Sequence, residues 1–189
     1  IMIQTIIEQL ERCRRFLVAS HANPDGDAIG SLLATGLALK AMGKDVKLYN
    51  ESPIPAVYRF LPSVSAIEHQ LDPGAGFDAA VILDCGDIDR IGAATETVGQ
   101  IPLLVNIDHH VTNTRFGHMQ LIDVEACATS EIIYRVIQRL PVTIDCAEGL
   151  TAQVNGHLLE QAVINLVDNA LKHSGATLPI EVRAWCEDD

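Results

Sequence analysis

The chain has 189 residues, of which 48% are hydrophobic and only 4% are aromatic, and its formal net charge is −12 at pH 7. This length allows one main domain with a substantial, mostly aliphatic core, as is typical of α/β folds. The acidic balance argues against a protein that binds long nucleic acid, which needs clustered Lys and Arg, but it leaves room for a short oligonucleotide beside bound metal ions.

The first part of the chain alternates helical and extended patterns. In chain order, these patterns predict a helix at 3–13, a strand at 16–19, a helix at 28–42 and a strand at 46–49. Gly43 marks the end of the second helix, because glycine readily adopts the backbone conformation that closes helices. A proline-rich loop between residues 53 and 62 follows.

The second part of the chain continues the same alternation. Its patterns predict strands at 79–83 and 103–107, helices at 130–140, near 145 and at 157–173, and a last strand at 180–185. Strands that are buried on both faces have nearly continuous Val, Ile and Leu runs, as these strands do. We therefore predict an α/β fold, a mainly parallel sheet flanked by helices.

Three predicted strands run into clusters of acidic and histidine residues. The clusters are residues 20–27, Asp84 and residues 108–110. In parallel sheets, ligands lie beyond the carboxyl ends of the strands, where all three clusters fall. Carboxylates and imidazoles suit manganese, zinc or iron, and carboxylates that bridge two ions about 3.5–4 Å apart support phosphoryl hydrolysis. The residues that can supply such a pair are His21, Asp25, Asp27, Asp84 and His109.

Simpler interpretations of these residues remain open. A single Asp at a strand end is usually a turn residue or a helix cap, although three coincident clusters favour a metal site. Asp25 and Asp27 can also begin a calcium loop, but such a loop needs a Glu at its twelfth position, and that position is Gly36. Cys85 can be a soft metal ligand or a small core residue.

Residues 16–150 resemble the DHH phosphoesterases, most closely the group that degrades very short RNA and dephosphorylates adenosine 3′,5′-bisphosphate (pAp). The matching motifs are HANPDGDAIGS at 21–31, DCG at 84–86, DHH at 108–110 and ATSEIIY at 128–134. The resemblance implies a manganese-dependent enzyme, with magnesium or another divalent ion as an alternative.

The resemblance also implies roles for individual residues. One ion is expected on His21, Asp25 and Asp84, and the second on Asp27, Asp84 and His109, so that Asp84 bridges them. His110 is expected to face the phosphate, and Asp108 to orient its neighbours. Arg115, which follows shortly after, is the cation we expect near the substrate, because phosphate chemistry benefits from a guanidinium.

The chain departs from the family's pattern after Leu150. The family carries a fourth motif there, Thr-Asp-Thr-Gly, whose Asp completes the second metal site, whereas residues 151–157 read TAQVNGH. The family's second domain, which holds the base and sugar of the substrate, is not recognised either. We therefore expect a phosphoesterase for short oligonucleotides or nucleoside bisphosphates with impaired activity. The alternative is a catalytically inactive fusion or designed chimera that at most binds a metal ion.

Residues 157–173 resemble the N-box helix of sensor histidine kinases, which have the GHKL ATPase fold. By this resemblance, Asn165, Asn169 and Lys172 correspond to residues that hold magnesium and phosphate. No glycine boxes accompany them, so we expect them to be vestigial, and an ATP-binding kinase fragment is the last alternative. The expected domains are a DHH part at 1–150 and a kinase-like part at 151–189, joined by a fusion of unknown origin.

The remaining features concern the cellular setting. Five scattered cysteines without a C-x-x-C pair are typical of reduced thiols in a cytoplasmic protein. No apolar stretch approaches the length of a membrane span, and no signal peptide is recognised. We therefore expect no membrane partner, and the sequence does not indicate an oligomeric state.

Overall fold

The computed structural model describes residues 2–72 and 74–142, in which six strands form one sheet. The strands are β1 (Arg15–Ser20), β2 (Asp45–Tyr49), β3 (Ile67–Glu68), β4 (Ala79–Leu83), β5 (Leu103–Asp108) and β6 (Met119–Ile122). Their order is β3-β2-β1-β4-β5-β6, and every neighbouring pair is parallel. The predicted parallel sheet is confirmed.

The helices lie close to their predicted positions. They are α1 (Met2–Arg12), α2 (Gly26–Ala41), α3 (Thr95–Gly99) and α4 (Thr129–Ile137), with short 3₁₀ turns at Ala56–Tyr58, Val64–Ala66 and Ile88–Ile91. Helix α2 begins two residues before the predicted start because Asp25 caps it, accepting a 3.0 Å hydrogen bond from the Ala28 amide. Helix α3 lies between the predicted strands at 79–83 and 103–107, where the sequence analysis predicts no helix.

Both faces of the sheet are buried, as the apolar runs predict. Along β1, Phe16 and Val18 face one core cluster, while Leu17 and Ala19 face another. The first cluster includes buried side chains of α1, α2 and α4, and the second includes side chains of α3 and the turn at Ile88–Ile91. Alternate residues of a strand point to opposite faces, so helices must cover both sides.

The strand order changes direction between β1 and β4. Chain connections lead from β1 outward to β2 on one side, and from β4 outward to β5 on the other. The loops that leave the carboxyl ends of β1 and β4 therefore diverge, and a crevice between such loops is where open α/β sheets bind ligands.

Part of the chain lies outside this description. The chain divides into two compact units, Ile1–Thr143 and Ile144–Asp189, and the second lies outside the described residues. The same holds for the predicted elements near 145, at 157–173 and at 180–185, and for Asn165, Asn169 and Lys172. Within the described part, no helix is long and apolar enough to cross a membrane.

Candidate metal centre

The polar clusters meet at the carboxyl edge of the sheet. Ser20 of β1 is paired with Leu83 of β4, and Leu83 is paired with Ile107 of β5. The next residues along these strands are His21, Asp84 and Asp108. Three neighbouring strands thus deliver ligand-type side chains at one level, as the strand-end pattern predicts.

Asp84 lies at the middle of this group. Its side chain is almost fully buried, and its backbone has a φ of 52°, which is rare for a residue other than glycine. One carboxylate oxygen, Oδ2, is 3.5 Å from His21 Nε2, whereas Oδ1 is 3.7 Å from His109 Nε2. The two oxygens therefore face different histidines, as a carboxylate shared by two ions requires. A strained backbone at such a position is characteristic of functional sites.

Among the described residues, two sets of ligand atoms lie close enough to hold an ion. The first set is His21, Asp25 and Asp84, and the second is Asp84, His109 and His110, with the atoms of each set within 4.8 Å of one another. Asp84 belongs to both. The first set has the composition expected from the sequence, while the second contains His110 in place of Asp27.

Asp27 lies beside the second set but is held by helix α4. Its Oδ2 is 3.8 Å from His109 Nε2 and accepts a 2.7 Å hydrogen bond from the Thr129 amide. Its Oδ1 accepts a 2.8 Å bond from the Ser130 amide. Ala128 provides no side-chain cap for α4, so Asp27 performs that role from helix α2.

Two histidines direct their Nε2 atoms at the carboxylates. His21 Nδ1 donates to the Ala22 carbonyl over 2.8 Å, and His109 Nδ1 donates to the Ala126 carbonyl over 3.3 Å. A proton on Nδ1 leaves the Nε2 lone pair available, and this backbone contact is the usual way in which proteins orient a histidine that binds a metal.

His110 has a different partner. Its Nδ1 is 2.7 Å from Asp108 Oδ1, and Asp108 Oδ2 accepts a 2.6 Å hydrogen bond from Asn113 Nδ2. The hydrogen bond with Asp108 raises the pKa of His110. Burial raises the pKa of Asp108, but the hydrogen bonds from His110 and Asn113 outweigh it and lower that pKa overall. Asp108 therefore favours a protonated His110 with Nε2–H free to donate.

The residues present fit a divalent ion. Asp84 is a buried carboxylate whose ion-pair neighbours in the described part of the chain are all histidines, with no Lys or Arg among them. Burying a carboxylate is costly unless it is paired or coordinates a metal. The mixture of carboxylate and imidazole ligands suits manganese, iron or zinc.

A cation that the sequence analysis missed lies next to the site. The Arg90 carbonyl accepts a 2.7 Å hydrogen bond from the Ala22 amide, beside His21. A hydrogen bond with Asp84 raises the pKa of His21, and one with Asp108 raises the pKa of His110. The positive charge of the exposed Arg90 opposes both increases. Its position six residues after Asp84, in the turn at Ile88–Ile91, was the signal available in the sequence.

Arg115, the cation expected from the sequence, is exposed and makes no ion pair with a site carboxylate in residues 2–72 or 74–142. Its backbone has a φ of 57°, and its amide donates to Asn113 Oδ1 over 2.6 Å. Arg115 therefore shapes the loop around Asn113.

Cys85 is a core residue. Its thiol is buried and donates to the Asp87 carbonyl over 3.0 Å, and neither ligand set contains it. Burial raises the pKa of Cys85 to about 12, so the thiol stays neutral at physiological pH. A neutral, buried thiol is a poor nucleophile, and the position of Cys85 outside both ligand sets favours the role of a small core residue.

The ion-free protein should be most stable in mildly acidic solution. Carboxylate partners raise the pKa of His21 and of His110 in the folded protein. These two histidines therefore stabilise the folded state fully below about pH 6.5, the pKa of an unperturbed histidine. That stabilisation is lost as the pH rises through their raised pKa values. The pKa of Asp108 is lowered because its hydrogen bonds outweigh burial. Its contribution is present above about pH 3.9 and is lost as the pH falls through the folded value.

Thermal unfolding in a chelator tests this prediction. The unfolding temperature of the wild-type protein should fall between pH 6 and pH 8.5. The unfolding temperature of the His110→Asn variant should fall less steeply over the same range. An unfolding temperature that rises across this range in the wild-type protein would contradict the assignment.

Comparison with known sequences relates this site to a family. Residues 15–167 match the N-terminal domain of the DHH family. This match extends beyond Leu150 and covers the first part of the segment that resembles a histidine kinase, so it gives that resemblance no support. The domain boundary near Leu150 stays a prediction.

Two curated relatives share a name and differ in distance. The bifunctional oligoribonuclease and PAP phosphatase NrnA of Thermus thermophilus is 39% identical over 129 residues, covering 66% of this chain and 37% of the relative. The protein of the same name from Bacillus subtilis is 23% identical over 160 residues, covering 82% of this chain and 50% of the relative. The chain thus spans half or less of the length of these relatives.

A solved structure with the same fold is that of an exopolyphosphatase-related protein from Bacteroides fragilis. The TM-score is 0.67 at 23% sequence identity, and the match covers 89% of this chain and 56% of that one. At this identity the likeness extends to the fold alone.

Proposed function

Because the chain belongs to the DHH family, we propose that it is a divalent-metal-dependent phosphoesterase acting on short oligonucleotides or on nucleoside bisphosphates such as pAp. The observation that carries this proposal is Asp84, a buried carboxylate that two sets of metal-ligand atoms share. The substrate class is suggested by the names of the two curated relatives.

We assign the ligands as the sequence motifs suggest. His21, Asp25 and Asp84 would hold the first ion, and Asp27, Asp84 and His109 the second. Manganese fits this donor set, and magnesium or another divalent ion is an alternative. When bound, such a pair supplies a nucleophilic water of lowered pKa and positive charge that neutralises the phosphate.

The chain's own residues would position the substrate and move a proton. His110 would donate its Nε2 proton to the phosphate or to the leaving oxygen, since Nδ1 is engaged by Asp108. Asp108 would hold the imidazole in this orientation, and Asn113 fixes Asp108 through its 2.6 Å hydrogen bond. A positioned acid of this kind contributes about 10²–10⁴-fold to the rate.

The second ion would be bound more weakly than the first. Residues 151–157 do not carry the fourth motif, whose Asp supplies a ligand in the family. The activity we propose is therefore low at limiting manganese and rises as manganese is added. An inactive fusion that binds one ion is the alternative, and it differs by lacking turnover at any manganese concentration.

Hydrolysis of pAp and of a dinucleotide by the purified chain tests the function. Manganese should raise the unfolding temperature, because an ion that binds the native state stabilises it. It should also support release of phosphate or mononucleotides, and excess chelator should abolish both effects. A chain that shows neither a thermal shift nor turnover in millimolar manganese would contradict the proposal.

Arg90 should contribute to substrate affinity. Its charge is close enough to reduce slightly the raised pKa of His21 and of His110, its carbonyl bonds the Ala22 amide, and it makes no ion pair among the described residues, so we infer that its guanidinium is available for a phosphate. A charge-assisted hydrogen bond contributes about 1.5–3 kcal/mol, so Arg90→Gln should raise KM roughly 10–100-fold. The matched control is Arg115→Gln, which should change KM by less than about threefold. The reverse ranking would place Arg115 at the phosphate.

A further inference from the structure

We propose that Thr129 is the positioning residue of the metal centre, which fixes the carboxylate plane of Asp84 and holds Asp27 beside it. This inference rests on the proposed function, because it concerns how the chain prepares its ligands for ions. Thr129 is the first residue of α4 and is completely buried.

The first contact is between the Thr129 hydroxyl and Asp84. Thr129 Oγ1 donates to Asp84 Oδ1 over 3.0 Å. That oxygen is also the one that lies 3.7 Å from His109 Nε2, while Oδ2 lies 3.5 Å from His21 Nε2. The Thr129 hydroxyl therefore holds Oδ1 on the side of His109 and leaves Oδ2 directed at His21.

Rotation of the carboxylate is the motion that this bond restrains. The terminal torsion of an aspartate is broad, with no sharp preferred angle, so the side chain alone does not fix the plane of its oxygens. Asp84 is the only carboxylate in both ligand sets of the described chain, so its plane decides whether both sets are complete. If the Asp84 carboxylate rotated freely, it could place an oxygen correctly for one set while misplacing the oxygen that the other set needs.

The second contact is between the Thr129 backbone and Asp27. The Thr129 amide donates to Asp27 Oδ2 over 2.7 Å, and the next amide, of Ser130, donates to Oδ1 over 2.8 Å. One residue thus touches two carboxylates that come from different elements, the end of β4 and the start of α2. Oδ1 also accepts a 3.3 Å bond from the Ser31 hydroxyl, whereas Oδ2 accepts a bond only from the Thr129 amide among the described residues. A carboxylate oxygen accepts two partners, so Oδ2 keeps a lone pair for an ion.

The side-chain type at this position is informative. At the first position of a helix the hydroxyl has no preceding turn to bond with, so it is free to donate outward to Asp84. Serine can make the same bond, whereas valine has the same shape without a donor. The bond to Asp84 can therefore be removed while the packing and the amide contact to Asp27 are kept.

The test compares the manganese affinity of three variants of the full chain with that of the wild type. Calorimetric titration measures the affinity. Thr129→Val should lower manganese affinity about 10–100-fold, as does loss of other groups that orient metal ligands, and Thr129→Ser should restore most of it. The matched control is Thr35→Val, because Thr35 is also a buried helical threonine whose hydroxyl has no hydrogen-bond partner among the described residues. Thr35→Val should bind manganese as the wild type does.

A second measurement separates positioning from a general loss of structure. The electron paramagnetic resonance spectrum of bound Mn²⁺ distinguishes a coupled pair of ions from isolated ions. The wild type should show the coupled signal at saturating manganese, and Thr129→Val should show mainly isolated ions while its circular dichroism spectrum stays native. If valine prevents folding, Thr129→Ala removes the same hydroxyl without adding a methyl group and is judged by the same criterion.

The outcomes distinguish this inference from the proposed function. Wild-type affinity and coupling in a folded Thr129→Val variant would overturn the role of Thr129 and leave the metal-dependent function intact. Equal loss of affinity in Thr129→Val and Thr129→Ser would also overturn it, since serine retains the hydroxyl. A wild-type chain that binds no manganese would instead contradict the proposed function itself.

Discussion

Replacing Asp84 with Asn should abolish the manganese-dependent turnover, with a fall of more than about 100-fold. Asn keeps the size of the side chain and one oxygen for the Thr129 hydroxyl, but it removes the negative charge that both ligand sets share. Loss of a group that only orients a ligand already costs about 10–100-fold in affinity or activity, so loss of a shared ligand should cost more.

The matched control for this variant lies at the other end of the same strand. Asp78 precedes β4 and accepts hydrogen bonds of 2.9 and 2.8 Å from the amides of Arg14 and Arg15. Asp78→Asn should lower the unfolding temperature, because these bonds weaken, but it should not change turnover per folded molecule. Turnover is measured with pAp at saturating manganese. If the Asp84→Asn variant retained turnover, Asp84 would not be a ligand of the metal centre.

Replacing the adjacent histidines should separate metal binding from proton transfer. His109→Asn should lower manganese affinity by at least about tenfold, because the Nε2 that faces Asp84 and Asp27 is lost. His110→Asn should retain the bound manganese and lower kcat about 10²–10⁴-fold, because its Nδ1 is held by Asp108 and its role is to donate a proton.

Titration calorimetry and steady-state kinetics on the same preparations check this contrast. The experiment decides whether His110 is a ligand, because its Nδ1 is 3.6 Å from Asp84 Oδ1 and it belongs to the second ligand set. A His110→Asn variant that loses manganese would show that His110 leaves Asp108 to become a ligand. The assignment of His110 to the phosphate would then be wrong.

The sequence predicted the parts of this fold that depend on local pattern. The strands β1, β4 and β5 are apolar runs with a sharp polar end, so both their positions and the polar cluster after each could be predicted. The edge strands could not. Strand β3 has only two residues, too few to form a pattern. The four residues of β6 are only half buried, and Gln120 interrupts their apolar side chains, so no continuous apolar run marks the strand.

The arrangement around each ligand depends on packing rather than on pattern. The resemblance to the family predicts Asp27 as a ligand, but no sequence pattern predicts that helix α4 holds it through bonds that span 102 and 103 residues. Arg90 was missed for a similar reason, since a single arginine in a short turn carries no periodic signal. Such contacts arise only when separate elements pack together, and no window of sequence contains both partners.

The long span of the Asp27 contacts has a consequence for the order of folding. His21, Asp25 and Asp84 are brought together by β1, the start of α2 and β4. Asp27, in contrast, is held only after Thr129 and Ser130 of α4 have reached it, and the same step adds the Thr129 hydroxyl to Asp84. Closing a loop of this length is entropically costly, so that contact forms late. A chain still being synthesised can therefore bring together the side chains that we assign to the first ion before Asp27 is held in place, and the docking of α4 completes the site that we propose.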